Sequence, residues 1–339
     1  MTSIVESAAR GRSPVYRRWL RAALFLLVGV VAVVALRGRL PEPGAVGGIL
    51  AGADRWWMAA AAGAALLSQV AFAVQQRRLL GGFGVDLPHG RAVALTFSRS
   101  AMSMALPAGS AVSAAFAFRV YRRHGADGTV AAIVTAVSGI LSVAALGLLY
   151  GAGWFVGQAG AGWTAVTAGV AWLVANPWAV GAVAGGGALA VHLLVRDRAL
   201  GMIRRWPALA AAVGGLRDLP RRSWLGALRA AVANWLLDMV CLAVAAAACG
   251  AELGWGRLAL IYLAVQVVRQ VPITPGGVGL IEASMLAGLT AAGMPEATGA
   301  AVVLLYRLVS FWMMLPLGLA GWLRLRRMPG GVPAADRSS

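Results

Sequence analysis

RQVPITPGGVGLIEASMLAGLTAAGMPEATGAAVVLLYRLVSF, residues 269–311, decides how the rest of the chain is read. An apolar sequence is broken there by Pro272, Pro275, Gly276 and Gly277, and its arms carry Arg269, Glu282 and Arg307. Proline removes a backbone donor and a glycine pair allows positive φ, so one helix is expected to stop near Val271 and another to start near Val278. Unpaired backbone groups at such a break are tolerated in a bilayer only where protein or a polar cavity satisfies them. A broken, charged span marks a candidate site, against the blander reading of a loop at the membrane surface.

The whole chain supports a bilayer setting. Its 339 residues are 60% hydrophobic and only 12% charged, about half the charged share of a soluble domain. The formal charge of +18 comes from Arg alone, since Lys is absent. With the Ala and Gly load this usage fits a GC-rich bacterial genome, and the arginines gather in short loops and tails as the positive-inside rule requires. No aromatic-interleaved basic domain is present, so nucleic acid is not an expected partner. Cys241 and Cys249 fall on one helix about 12 Å apart and cannot pair with each other. No GxSxG, HExxH, Walker or paired-Cys pattern occurs, so no cofactor, metal or conventional catalytic site is expected and the chain is read as a non-enzyme.

In order, residues 1–17 form a polar tail expected to be disordered, and the apolar run from Trp19 to Leu36 is the first span. A cleaved signal peptide is the competing reading there, disfavoured by RGR at 37–39 and by the spans that follow. Residues 40–54 read as an external loop. The second span, Trp56 to Val74, ends at the stop sequence QQRR, Gln75 to Arg78. Further spans cover Gly128 to Tyr150, Trp178 to Val195, Trp224 to Ala247 and Ala297 to Trp322, and residues 328–339 are a second polar tail. The loop 196–222 holds seven Arg against two Asp, which places it in the cytoplasm. A span over 160–176 is the alternative and would export that loop.

Residues 90–124 are again two apolar arms meeting at a break, Pro107 to Gly109, so the opening pattern occurs twice. Pro107 and Pro275, Gly109 and Gly277, and Gly125 and Gly293 are each separated by 168. With both termini cytoplasmic, the first broken pair starts and ends inside and the second starts and ends outside. The expected architecture is all-α: a polytopic membrane protein of about six full spans plus two broken, re-entrant helix pairs. One domain, 18–327, contains repeat units 56–150 and 224–318 of inverted topology. Such repeats are characteristic of secondary transporters, whose sites lie at the breaks.

Five charges fall inside apolar segments: Arg99, Asp238, Arg269, Glu282 and Arg307. Each costs roughly 2.5–3.5 kcal/mol on insertion scales, so they are expected to pair or to face water. Three Arg against two acids leaves a positive excess that suits phosphate, which Arg binds bidentately. A helix starting near Val278 adds its N-terminal dipole and free NH groups. Ion pairs that merely hold helices together are the competing reading. The histidines His89, His124 and His192 read as interfacial, and Met102, Met104 and Met285 as core filler.

TPGGVGLIEA at 274–283, GMPEATGAAVVLLYRLVSFWMMLPLG at 293–318, NWLLD at 234–238, and LPAGS and YRRHG at 106–110 and 121–125 carry a resemblance. They resemble the lysylphosphatidylglycerol synthase transmembrane family, also called flippase-like integral membrane proteins. The resemblance implies a lipid-translocating domain, and maps the family's PGG, Glu and YR positions onto Pro275, Gly276, Gly277, Glu282, Tyr306 and Arg307. In the aminoacyl-lipid synthases a soluble aminoacyltransferase domain follows. Here the sequence stops soon after Arg327, so synthase activity is not carried over.

Together these readings give an expected lipid transporter of a bacterial cell membrane, moving an anionic phospholipid or a polyprenyl-phosphate-linked precursor between leaflets. Its substrate-binding residues are Arg99, Pro107, Gly109, Asp238, Arg269, Pro275, Gly276, Gly277, Glu282, Tyr306 and Arg307. The alternative is an accessory subunit of a membrane-embedded glycosyl- or aminoacyl-lipid transferase, or such an enzyme itself. A glycosyltransferase or aminoacyltransferase is the partner it implies.

Overall fold

The computed structural model describes residues 42–106, 108–158, 219–269 and 277–327. The expected spans at 19–36 and 178–195, the alternative span at 160–176, both tails, and Pro107, Pro275 and Gly276 lie outside these residues. Every described secondary element is helical. In order they are α1 (Pro43–Ala51), α2 (Arg55–Gly82), α3 (His89–Ala105), α4 (Gly109–Arg123), α5 (Gly128–Gln158), α6 (Arg221–Ala248), α7 (Trp255–Arg269), α8 (Leu280–Ala291), α9 (Glu296–Arg307), a π-helical turn (Leu308–Trp312) and α10 (Met314–Arg326). Among the described residues four stretches are long and apolar enough to cross a membrane: Arg55–Gly82, Gly128–Gly153, Arg221–Ala248 and Glu296–Arg326. These are the four expected spans that fall within the described residues. Large apolar side chains such as Leu67, Val143, Leu148, Leu304 and Leu319 point outward from them, as lipid-facing residues do.

Two expectations are corrected. Residues 43–51 are not a loop but helix α1, started by Pro43, whose fixed φ suits the first turn and whose missing NH is not needed there. The helix packs on α9, and its Leu50 joins the main core. The helix of the second span also continues past the expected stop sequence at 75–78. Helix α2 runs on to Gly82, and Gln75 and Gln76 are fully buried. Three of their four amide atoms find partners inside: Gln75 Nε2 donates to the Ser138 carbonyl at 3.0 Å, Gln76 donates to Ser138 Oγ, and the Tyr121 hydroxyl donates to Gln76 Oε1, while Gln75 Oε1 has no partner among the described residues. Buried polar groups with partners of this kind do not need the interface.

The longest contact is between α2 and α6, which run antiparallel along their whole length. The Asp54 NH donates to the Ala248 carbonyl at one end, Ser68 meets Asn234 at 3.0 Å in the middle, and Gly82 abuts Leu219 and Ser223 at the other end. Small residues permit this approach: Ala61, Ala64 and Ala65 on α2 and Ala227, Ala231 and Ala245 on α6 are all buried. A second close contact joins α3 and α10. A Cβ on Gly318 would collide with Ala101 and the Phe97 carbonyl, and one on Gly321 would lie 2.6 Å from the Ala94 carbonyl.

Helices recur along the chain at a nearly constant spacing. Both α2 and α6 have 28 residues and start 166 apart, and the starts of α3 and α7 are also 166 apart. Past the breaks, α4 and α8 end 168 apart, at Arg123 and Ala291. The 31 residues of α5 correspond at the same spacing to the 31 from Glu296 to Arg326. Contacts recur too. Gly318 meets Phe97 and Gly321 meets Ala94; at the corresponding positions Tyr150 donates to the Leu263 carbonyl and Gly153 meets Leu260.

Candidate functional site

The first break is closed by backbone packing. Ala108 takes a left-handed conformation, φ 56°, and Gly109 then starts α4 against the end of α3. A Cβ at Gly109 would collide with the Met102 and Ser103 carbonyls and sit 2.8 Å from the Ser103 carbonyl carbon, so only glycine fits. Gly109 is therefore placed as a close-approach residue at the break.

At the second break α7 ends at Arg269 and α8 begins at Leu280, two residues later than expected. Gly279 holds φ 88°, outside helical geometry, and so serves as the cap in place of Val278 as the first helical residue. Gly277 has φ 68°. Glu282, in the first turn, bends back so that Oε2 accepts the Gly279 NH at 2.7 Å. This is half of a capping box, and it places a carboxylate on the positive end of α8.

The other oxygen of Glu282 has a different partner. Arg307 Nε donates to Glu282 Oε1 at 2.6 Å, a short charge-assisted bond. The Arg307 side chain is only 4% exposed while Glu282 is 28% exposed, so the arginine is the buried member. Its guanidinium also lies 4.2 Å from the ring centre of Phe311, within the π-helical turn that follows α9. Such turns re-aim side chains within a helix and occur frequently at functional sites.

One helix further on, Asp238 of α6 gathers a second set of donors. The Tyr262 hydroxyl of α7 donates to Oδ2 at 2.8 Å, the Tyr306 hydroxyl of α9 lies 3.2 Å from both oxygens, and Arg269 Nη1 stands 3.8 Å from Oδ2. Tyr306 and Arg307 are consecutive, so α9 joins the two sets. Asp238, Arg269, Glu282, Tyr306 and Arg307 are thus brought together by four helices meeting around the second break.

Arg99 is placed elsewhere. It extends from α3 toward α2 and α4, with Nε 3.4 Å from Ser113 Oγ and its guanidinium 5.1 Å from the Phe72 ring centre. Among the described residues no carboxylate pairs with it, and its buried Nη1 has no hydrogen-bond partner. The positive excess expected from sequence therefore resides at Arg99, while the cluster around Glu282 holds two Arg and two acids.

Three neighbours were not singled out from sequence: Tyr262, Gln266 and Phe311. The first two share a face of α7 with Arg269, at spacings of four and three, a signal that was available. Gln266 is 2% exposed and its Oε1 has no partner among the described residues. Phe311 follows Arg307 by four, but its stacking depends on the π-turn, which leaves no mark in the sequence. Met104 and Met285 are buried in the main core, as expected. Among the described residues no group of three or more His, Cys, Asp or Glu could hold a metal.

Comparison with known proteins bears on what this membrane cluster belongs to. Two UPF0104 membrane proteins of Methanothermobacter thermautotrophicus are similar to the chain, one 27% identical over 86 residues and the other 31% identical over 85. Each match covers 25% of this chain and 25% of the relative, so the chain spans about a quarter of the length of these relatives. A far longer match is to the family described as Lysylphosphatidylglycerol synthase TM region, over residues 18–318. That range takes in all the described helices up to the middle of α10, including both breaks and every member of the charged cluster. This multi-pass membrane protein belongs to the lysylphosphatidylglycerol synthase transmembrane-region family.

Proposed function

We propose that this protein moves a lipid with an anionic headgroup, a phospholipid or a polyprenyl-phosphate-linked precursor, between the leaflets of a bacterial cell membrane. The observation that carries the reading is the Arg307–Glu282 pair set on the N-terminus of α8. It combines a guanidinium, backbone NH groups and a helix dipole at one point inside the membrane, the donors that a phosphate oxygen needs. The carboxylate of Glu282 holds the place that such an oxygen takes.

An inverted repeat is part of the proposal, with units 56–150 and 224–318. The recurring helix lengths and contacts support it, and so does one hydrogen bond. Ser68 and Asn234 are 166 apart, which makes them corresponding residues, and they touch each other. Corresponding positions can meet only on the axis relating the two units, and the antiparallel course of α2 and α6 requires that axis to lie across the helices, in the membrane plane. Two discontinuous pairs would then face opposite leaflets, as alternating access needs.

Charge distribution supports a cytoplasmic location for one end. There Arg77, Arg91, Arg122, Arg222 and Arg324 stand against Asp86 and Asp127. The other end carries Glu42, Asp54, Glu252 and Glu296 against Arg55 and Arg257. With Cys241 and Cys249 replaced by Ser, Glu252→Cys is expected to react with an impermeant maleimide on intact cells while Asp127→Cys stays protected. Labelling of Asp127→Cys alone would invert the orientation.

Purified protein in vesicles of phosphatidylcholine with a trace of fluorescent phosphatidylglycerol tests the function directly. Dithionite added outside is expected to quench beyond the outer-leaflet fraction only when the protein is present; equal quenching with and without it sinks the reading. The second reading, a subunit of an aminoacyl- or glycosyl-lipid transferase, is favoured by the family's description as a synthase region. It requires a partner enzyme, and translocation by the purified chain alone decides against it.

A further inference from the structure

We infer that headgroup binding is coupled to uptake of one proton by Glu282, so that the anionic lipid and a proton cross together; this rests on the transport reading above. The argument is one of charge. The cluster is balanced as it stands, Arg307 against Glu282 and Arg269 against Asp238. Glu282 alone occupies both groups an incoming phosphate would use, Arg307 Nε at 2.6 Å and the Gly279 NH at 2.7 Å. A phosphate oxygen reaches them only by displacing that carboxylate.

Displacement leaves three negative groups, the phosphate, Asp238 and Glu282, facing two guanidinium groups. A carboxylate stripped of its cation in an apolar setting neutralises rather than remain charged. Glu282 then takes a proton from water on the side where the lipid entered. No other bond is made or broken, and the cluster is neutral again. When the lipid leaves on the opposite side, Glu282 releases the proton there and pairs with Arg307 once more.

The groups facing this exchange identify Glu282 as the carrier. Asp238 accepts from the hydroxyls of Tyr262 and Tyr306 and pairs with Arg269, which together fill its oxygens and hold it between α7 and α9. Among the described residues Glu282 is bonded to Arg307 and to its own helix start, and it is the more exposed acid, 28% against 15%. It also sits in the first turn of α8, next to the break.

Calorimetric titration of the full chain in detergent with dihexanoyl phosphatidylglycerol, run at one pH in two buffers of different ionisation heat, counts the protons taken up per lipid. About one is expected in the wild type, with the dissociation constant rising about tenfold per pH unit. Glu282→Gln should bring the count to zero in whatever binding remains. Wild-type binding with no proton uptake overturns the coupling and leaves the anionic-lipid reading standing. A count still near one in Glu282→Gln overturns the assignment to that residue. Absence of any binding by the wild type overturns the anionic-lipid reading, and the coupling with it.

Discussion

Arg307→Gln is expected to abolish lipid translocation in vesicles and to destabilise the protein, and adding Glu282→Gln is expected to restore stability without restoring transport. Losing the guanidinium strands a carboxylate whose partner was 2.6 Å away, a change that costs about 3–5 kcal/mol for a buried pair. The lower end, about 3 kcal/mol, applies here because Glu282 keeps 28% exposure and its bond to the Gly279 NH. The stack on Phe311 is lost as well. In the double variant two amides replace two ions and can hydrogen-bond to each other, so nothing charged is left unpaired. Thermal unfolding in detergent and the dithionite assay together separate the two roles. Translocation at the wild-type rate by the stable double variant would remove Arg307 from the substrate path, and a purely structural pair would be the remaining account.

The Asp238 carboxylate should matter more to stability than any other single side chain of the cluster, with Asp238→Ala costing about 3–5 kcal/mol and Asp238→Asn less than half of that. Alanine removes the carboxylate acceptor of two buried tyrosine hydroxyls and the counter-charge of Arg269. Each orphaned hydroxyl costs about 1–3 kcal/mol. Asparagine keeps one acceptor for them, and the charge it leaves on Arg269 is softened because that side chain is 34% exposed. The check is the unfolding temperature of the purified variants, with Tyr262→Phe in combination. If Asp238 holds the hydroxyl of Tyr262, Asp238→Ala should cost less in a Tyr262→Phe background than in the wild type. Simple addition of the two effects would mean the hydroxyl finds another acceptor.

Much of the fold could be read from residue types because a bilayer narrows the choices. An apolar run long enough to span must be helical there, since its backbone has to be satisfied within itself. That argument alone located α2, α5, α6 and the span ending in α10, and the Pro and Gly clusters located both breaks. It failed where polar residues satisfy one another inside the protein. Gln75 and Gln76 look like an interface, and only their contact with Ser138 and Tyr121, more than forty positions away, makes them interior. It failed again at residues 43–51, whose Pro and Gly content suggests a loop, and where packing on α9 makes a helix.

For the candidate site the division is similar. The sequence by itself determined which charges fall within apolar segments, that charges so placed need partners, and that the Glu282 segment begins a helix just after a break. Those conclusions follow from transfer costs and backbone restrictions, which are local. Pairing was decided by the tertiary structure alone. Three Arg and two acids admit several matchings, and which one forms depends on how α6, α7, α8 and α9 cross. Their crossing put Arg307 on Glu282 and Arg269 on Asp238 and left Arg99 with Ser113 and Phe72. It also turned an apparent positive excess into a balanced cluster, because electrostatic neutrality is a property of distances and not of composition.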